Sequence, residues 1–355
     1  MGPHKKRCYS YYVSAFDRLF ALFSSCFRSH RRSSSTAAKQ YVSGLCREVP
    51  RKNIGRIAER ACDINYDALH NVASASPWQH QQLSKAVAQH ADKLIGGERS
   101  ALIIDETAFS KKGNCSAGVS RQMNGRLGKV DNCQVGVFAA LCNQRHSALI
   151  GERLYLPKQW SCDEQRCQKA GIPLQERQYK EKIALAKELV DETMTTGMRY
   201  GLVLADAVYG SLDFAHYLND RSLYFALNTR ANQPVYLTDP ELFVPPTRKG
   251  AKGRPCGKLK TVHKPIQVDE FISRITPAEW KSVRVRRGRK GYLRVQAYAQ
   301  RVYYWSPKDS LPPAEWWLVV TKDEDSGDLK YFMSNLPAAT PLQRLVRKHR
   351  HRYWI

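Results

Sequence analysis

Apolar residues change their spacing near residue 99, and the change divides the sequence into a helix-forming part and a sheet-forming part. Before it they recur every three to four positions: Tyr12, Phe16, Leu19, Phe20, Phe23 and Phe27, then Tyr41 and Leu45, then Ile54, Ile57, Ala58 and Ala61, then Tyr66, Leu69 and Val72. That period predicts short amphipathic helices, each with one face to bury. Residues 28–36, rich in Arg and Ser, read as a joint. Ser76 ahead of Pro77 predicts the cap and first turn of a further helix carrying Leu83, Val87 and Leu94.

After residue 99 the pattern is that of strands. Residues 101–105, 118–123 and 133–142, with Gly and Asn between them, predict an antiparallel meander, and 147–156 an added edge. A helix is expected over 180–196, with Ile183, Ala186, Val190 and Met194 on one face and Gly197 past its end. Next come an apolar run at 202–205, a short helix with Phe214, Tyr217 and Leu218, and a strand at 223–228. A meander followed by strand, helix and strand predicts an α/β layer around a mixed sheet. Residues 231–335 read as a β-rich basic insertion, with strands at 292–304, 316–321 and 329–334 and cationic loops at 245–264 and 284–290. Thr340, Pro341 and Gln343 predict the cap, first-turn proline and capping-box partner of a last helix bearing Leu342, Leu345 and Val346 and running to the chain end. The expected domains are therefore 1–98, helical; 99–230, the first part of an α/β core; 231–335, the insertion; and 336–355, the start of the final core helix.

Charge selects the class of partner. Lys and Arg number 57 against 32 acids in 355 residues, a net charge of +25, so the field around the protein attracts polyanions, with double-stranded DNA the expected partner. Arg47, Arg51, Lys52, Arg56 and Arg60 on clustered short helices suit a DNA-reading bundle, and equally a plain helical bundle with solvated charges. The ten cysteines are scattered, with no pair of Cys-x-x-Cys motifs at zinc spacing. Asp17 and Arg18 interrupt what would be a signal-peptide core, and no run reaches the ~18 apolar residues of a membrane span. A cytoplasmic protein with no membrane partner is expected.

Two positions carry the candidate chemistry. The run 101–104 delivers Asp105, and the run 202–205 delivers Asp206 in the same way. Two such strands side by side would bring hard oxygen ligands together for Mg²⁺, with Mn²⁺ as substitute. Taken singly, each Asp also fits a strand end beside a turn. Glu106 is expected on the opposite face of the sheet, because successive strand residues alternate. Gly128-Lys129 is no phosphate loop: Met123 stands where its first glycine is needed, and Val130 replaces its Ser or Thr. Trp305, Trp316 and Trp317 are read as core residues of the insertion.

The stretch IIDETAFSKKGNCSAGVSRQMNGRLGKVDNCQVGVF resembles the first core motif of the DDE-type insertion-sequence transposases, and LVLADAVYG resembles the second. ERLYLPKQW and WWLVV through YFMSNLP are similar to segments between and after them, so that the resemblance runs from about residue 35 to the last residue. It implies a ribonuclease H-like core, an N-terminal domain that recognises terminal inverted repeats, self-association on DNA, and Mg²⁺-dependent cleavage and strand transfer. By position, Asp105 and Asp206 become the first two metal-binding, catalytic carboxylates. DNA contacts are expected at Arg51, Lys52, Arg56, Lys111, Lys112, Arg121, Lys129, Arg248, Lys249, Arg286, Arg287 and Arg289. The family's third acid, a Glu, follows a segment resembling residues 352–355, where this chain stops. The chain as given is therefore expected not to cut DNA at an appreciable rate, and the alternative function is a non-catalytic fragment that occupies transposon ends and inhibits transposition.

Overall fold

The computed structural model describes all residues except 1–14, 30–31, 49–51, 62–64, 145, 246–257, 289–290, 308–310 and 355, and not the side chains of 286–288, 291, 353 and 354. The chain forms two compact units, Met1–His90 and Ala91–Ile355.

The first unit is helical, as its periodicity predicts. After a helical stretch at 15–21 come α1 (Ser35–Cys46), α2 (Ile54–Ala61), α3 (Tyr66–Ser74) and α4 (His80–Ile95), the last of which crosses the unit boundary. Phe20, Cys26, Phe27, Ala38 and Val72 make one apolar cluster, with Phe16, Phe23, Trp78 and Leu83 packed on it; Ile57 and Leu69 make another. α1 and α2 cross closely at Gly44, where a Cβ would stand 2.3 Å from Ile57 Cγ2. Ser76 does not cap α4. Its N–H turns back onto Asn71 O, and the helix begins three residues after Pro77. Leu94, expected on the buried face, is exposed.

The second unit is built on one ten-stranded sheet. Its strands are β1 (Gly97–Ser110), β2 (Ser120–Asn124), β3 (Lys129–Asn143), β4 (His146–Leu154), β5 (Tyr200–Ala205), β6 (Phe225–Asn228), β7 (Lys281–Gly288), β8 (Gly291–Tyr304), β9 (Ala314–Asp323) and β10 (Leu329–Ser334). β1 pairs antiparallel with β3 and parallel with β5, and β5 pairs parallel with β6. The core order β4-β3-β1-β5-β6 is the mixed ribonuclease H-like sheet expected, but its antiparallel meander is β1-β3-β4: β2, expected between β1 and β3, pairs only with β3. α5 (Lys182–Thr195) connects the meander to β5, and α6 (Leu212–Asp220) connects β5 to β6.

Residues 231–335 enlarge this sheet. β10 adds antiparallel to β6, and β9, β8 and β7 follow outward. One expected loop is a strand: β7 takes up Arg284, Arg286 and Arg287, because Val283 (buried) and Val285 alternate with the arginines. The loop at 245–264 falls mostly outside the described residues. Trp305 and Trp316 are buried, as expected of core residues. α7 (Leu342–His349) lies on the sheet face formed by Ile103, Leu204, Ala226 and Phe332, to which Leu345 and Val346 contribute. Its N-cap is Pro341, not Thr340, with no side-chain cap bond; after His349 the chain tightens into a 3-10 turn, Arg350–Trp354.

Candidate functional site

Asp105 and Asp206 meet because of strand register. The parallel β1–β5 ladder pairs Ile103 with Leu204 and Ile104 with Ala205, so the next residue of each strand is an aspartate. Parallel strands present both carboxylates at the same edge of the ladder. Asp105 is not a strand end, as its sequence context implies. β1 runs on to Ser110 against β3, pairing Asp105 with Phe138, and only the β5 side opens at this point. The β5 chain turns away there: Val208 N–H donates to Asp206 Oδ1 (2.9 Å) and Tyr209 N–H to the Asp206 carbonyl (3.1 Å) before Ser211 caps α6.

Among the described residues, Arg352 pairs with both acids. Nη2 of Arg352, in the turn after α7, stands 3.5 Å from Asp105 Oδ2 and 3.7 Å from Asp206 Oδ2. Burial raises the Asp206 pKa from its ordinary value; Arg352 and the Val208 N–H oppose the rise, and Asp105 and Glu106 add to it. Glu106 turns to α5, where Lys182 Nζ lies 2.8 Å from Oε2. The Tyr209 ring is fully buried beside these groups, and burial first, then Glu106, Asp206 and Asp105, hold its hydroxyl protonated.

The turn has no slack. A Cβ on Gly210 would lie 1.8 Å from the backbone oxygen of Asn228, the last residue of β6. Gly210→Ala is expected to cost about 1–3 kcal/mol, the range of an overpacked core, and to weaken divalent-ion binding by moving Asp206. Urea titration and calorimetry with Mn²⁺ check both effects, and wild-type values in both would show that the turn can yield.

The donor set fits a hard divalent ion. Two carboxylates converge on one cationic group, and a guanidinium between them shows that the position holds positive charge. Among the described residues no group of three or more His, Cys, Asp or Glu is placed to hold a metal. Cys162 is exposed, the Cys167 thiol donates to Trp160 O, and Asp163 caps a short helix through the Arg166 N–H.

The expected DNA contacts are scattered over both units. Lys52 and Arg56 are exposed beside α2, where Lys52 Nζ donates to Leu45 O and Arg56 pairs with Glu59. Lys112, Arg121 and Lys129 are exposed and Lys111 half-buried around the end of β1 and the β2–β3 hairpin. There the Lys111 N–H donates to Asn132 O, and Asn132 faces Arg121 across the ladder. That cluster lies ~20 Å along β1 from Asp105 at the usual strand rise. Arg286 and Arg287 belong to β7. Arg51, Arg248, Lys249 and Arg289 lie outside the described residues. No local pattern points to Arg352 at the aspartates, since the turn after α7, far along the chain, brings it there. Tyr209 and Gly210 had one, the tight spacing after Asp206.

Comparison with known proteins agrees with these motifs. Residues 19–292 match the family model described as DDE superfamily endonuclease. A probable transposase for insertion sequence element IS701 of Microchaete diplosiphon is 27% identical over 300 residues, covering 82% of this chain and 68% of the relative. Among solved structures, the piggyBac transposase in its synaptic complex with hairpin DNA gives a TM-score of 0.41 at 12% identity, over 92% of this chain and 59% of that one. The NurA nuclease from Sulfolobus solfataricus gives 0.30 at 11%, over 79% and 82%. Among the described residues no helix is long and apolar enough to cross a membrane.

Proposed function

Because the chain belongs to the DDE superfamily endonucleases, we propose that it acts on the terminal inverted repeats of an insertion sequence, with Asp105 and Asp206 as its first two metal-binding carboxylates. The observation that carries this reading is the convergence of both acids on one cation position at the edge of the β1–β5 ladder. Mg²⁺, or Mn²⁺ in its place, would be held by these two side chains and would supply Lewis-acid polarisation of a DNA phosphate. The chain's own groups prepare that position. Val208 N–H orients the Asp206 carboxylate, the Asp105 Oδ1 accepts the Glu106 N–H (2.8 Å), and Lys182 neutralises Glu106.

DNA is held in this proposal by the helices of the first unit and by the cations at Lys111, Lys112, Arg121 and Lys129, with further contacts from Arg286, Arg287 and the basic residues around Arg248. End preference is assigned to residues 1–98, and two chains are needed to pair two ends. A filter-binding series against salt tests the DNA half: log affinity should fall linearly with log salt at about −0.9 per phosphate neutralised. A six-phosphate footprint then loses about 40-fold on each doubling of salt, and a flat response would remove the claim.

A further inference from the structure

We propose that Arg352 is a built-in counter-cation that holds Asp105 and Asp206 together before a divalent ion arrives and competes with that ion for their oxygens. This rests on the reading of the two aspartates as metal ligands. The guanidinium lies 3.5 Å and 3.7 Å from one oxygen of each, while its own side chain is only 15% exposed. Both separations exceed those of a short forked Arg–carboxylate pair. The attraction is therefore charge at close range, with little directional bonding to lose on exchange. A cation is needed there, because two carboxylates at such a distance from a common point repel when neither is neutralised.

The position of Arg352 is set by the sheet. The His349 ring stacks on Phe332 with centroids 4.0 Å apart, and its Nε2 donates to Asn228 Oδ1. Arg347 Nε donates to the Arg284 backbone oxygen at 2.9 Å. These contacts tie the end of α7 to β6, β10 and β7. A 3-10 turn returns a side chain to the same side after three residues, so the turn following His349 directs Arg352 back toward the sheet, where the two acids stand. The same Asn228 closes over Gly210 through its backbone oxygen, so one residue fixes both the turn that carries Asp206 and the helix end that carries Arg352.

Competition makes a reciprocal statement. If the divalent ion displaces the guanidinium, the guanidinium must weaken ion binding by the same factor. The experiment is Mn²⁺ calorimetry on the full chain, on Arg352→Gln, and on Asp105→Ala and Asp206→Ala. Arg352→Gln should bind Mn²⁺ about tenfold more tightly than wild type, within the usual range of such couplings, and Mn²⁺ should raise its unfolding midpoint more. Unchanged or weaker binding would overturn the proposal while leaving the aspartates as ligands. Unchanged binding in both aspartate variants would overturn the metal reading and the counter-cation with it. Should Arg352→Gln fail to fold, hydrogen exchange of wild-type residues 346–352 decides: saturating Mn²⁺ should speed it, and no change or slower exchange would refute displacement.

Discussion

Asp206→Ala is expected to lower Mn²⁺ affinity by more than about 100-fold, beyond the loss typical of a partner outside the ligand set, with duplex-DNA affinity nearly unchanged. Asp105→Ala should behave in the same way. Each substitution leaves a single carboxylate facing Arg352, and one acid neutralised by one guanidinium has little charge left for a divalent ion. The DNA contacts assigned to the first unit and to the end of β1 and the β2–β3 hairpin do not include either position. Stability separates this from a structural role. Burial raises the Asp206 pKa, so over the window between the unfolded and folded values the native state binds more protons and stability falls as pH rises. Above that window the ionised group carries the full penalty. Metal-free Asp206→Ala should therefore be as stable as wild type or more so, in urea titrations at pH 7. A marked loss of stability together with retained Mn²⁺ binding would identify Asp206 as a turn residue only.

The aspartate pair was legible because each acid follows four apolar residues that stay buried, and because parallel strands of equal pattern align in register. The extension of β1 beyond Asp105 was not. Glu106 and Ser110 weaken the local strand signal, and the partner of residues 107–110, residues 133–136, lies beyond the intervening β2. At β7 the charge of Arg284, Arg286 and Arg287 hid an alternation that Val283 and Val285 carry, and a surface strand at the sheet edge tolerates such charge. The capping pattern at Thr340 and Gln343 misplaced the helix start by one residue, since Thr340 N–H is spent in a turn onto Pro337 O. Arg352 at the aspartates depends on tertiary contacts of His349 and Arg347 with distant strands, and no local pattern encodes those.

His349 should make the fold lose stability in mild acid. Its imidazole is buried and stacked on Phe332; its Nε2–H reaches Asn228 Oδ1, and the charged groups near it are the cations Arg352, Arg350 and Lys330. Burial first, then those three cations, push its pKa down to about 3, against about 6.5 for an unfolded histidine. Between these values the unfolded chain takes up a proton that the native chain refuses. The contribution is complete above the unfolded value and is lost progressively as pH falls through the window. At pH 5 the loss should be about 2 kcal/mol relative to pH 7. His349→Gln keeps an amide that can donate to Asn228 and does not titrate, so it will be less stable than wild type at pH 7 through lost stacking, and the gap should narrow by about that amount at pH 5. Urea titrations of both proteins at pH 7, 6 and 5 measure the gap directly, and the carboxylates common to both cancel in the difference. A gap that stays constant across the series would mean that His349 gains a proton as easily in the native protein as in the unfolded chain, and that its contact with Asn228 does not fix the end of α7.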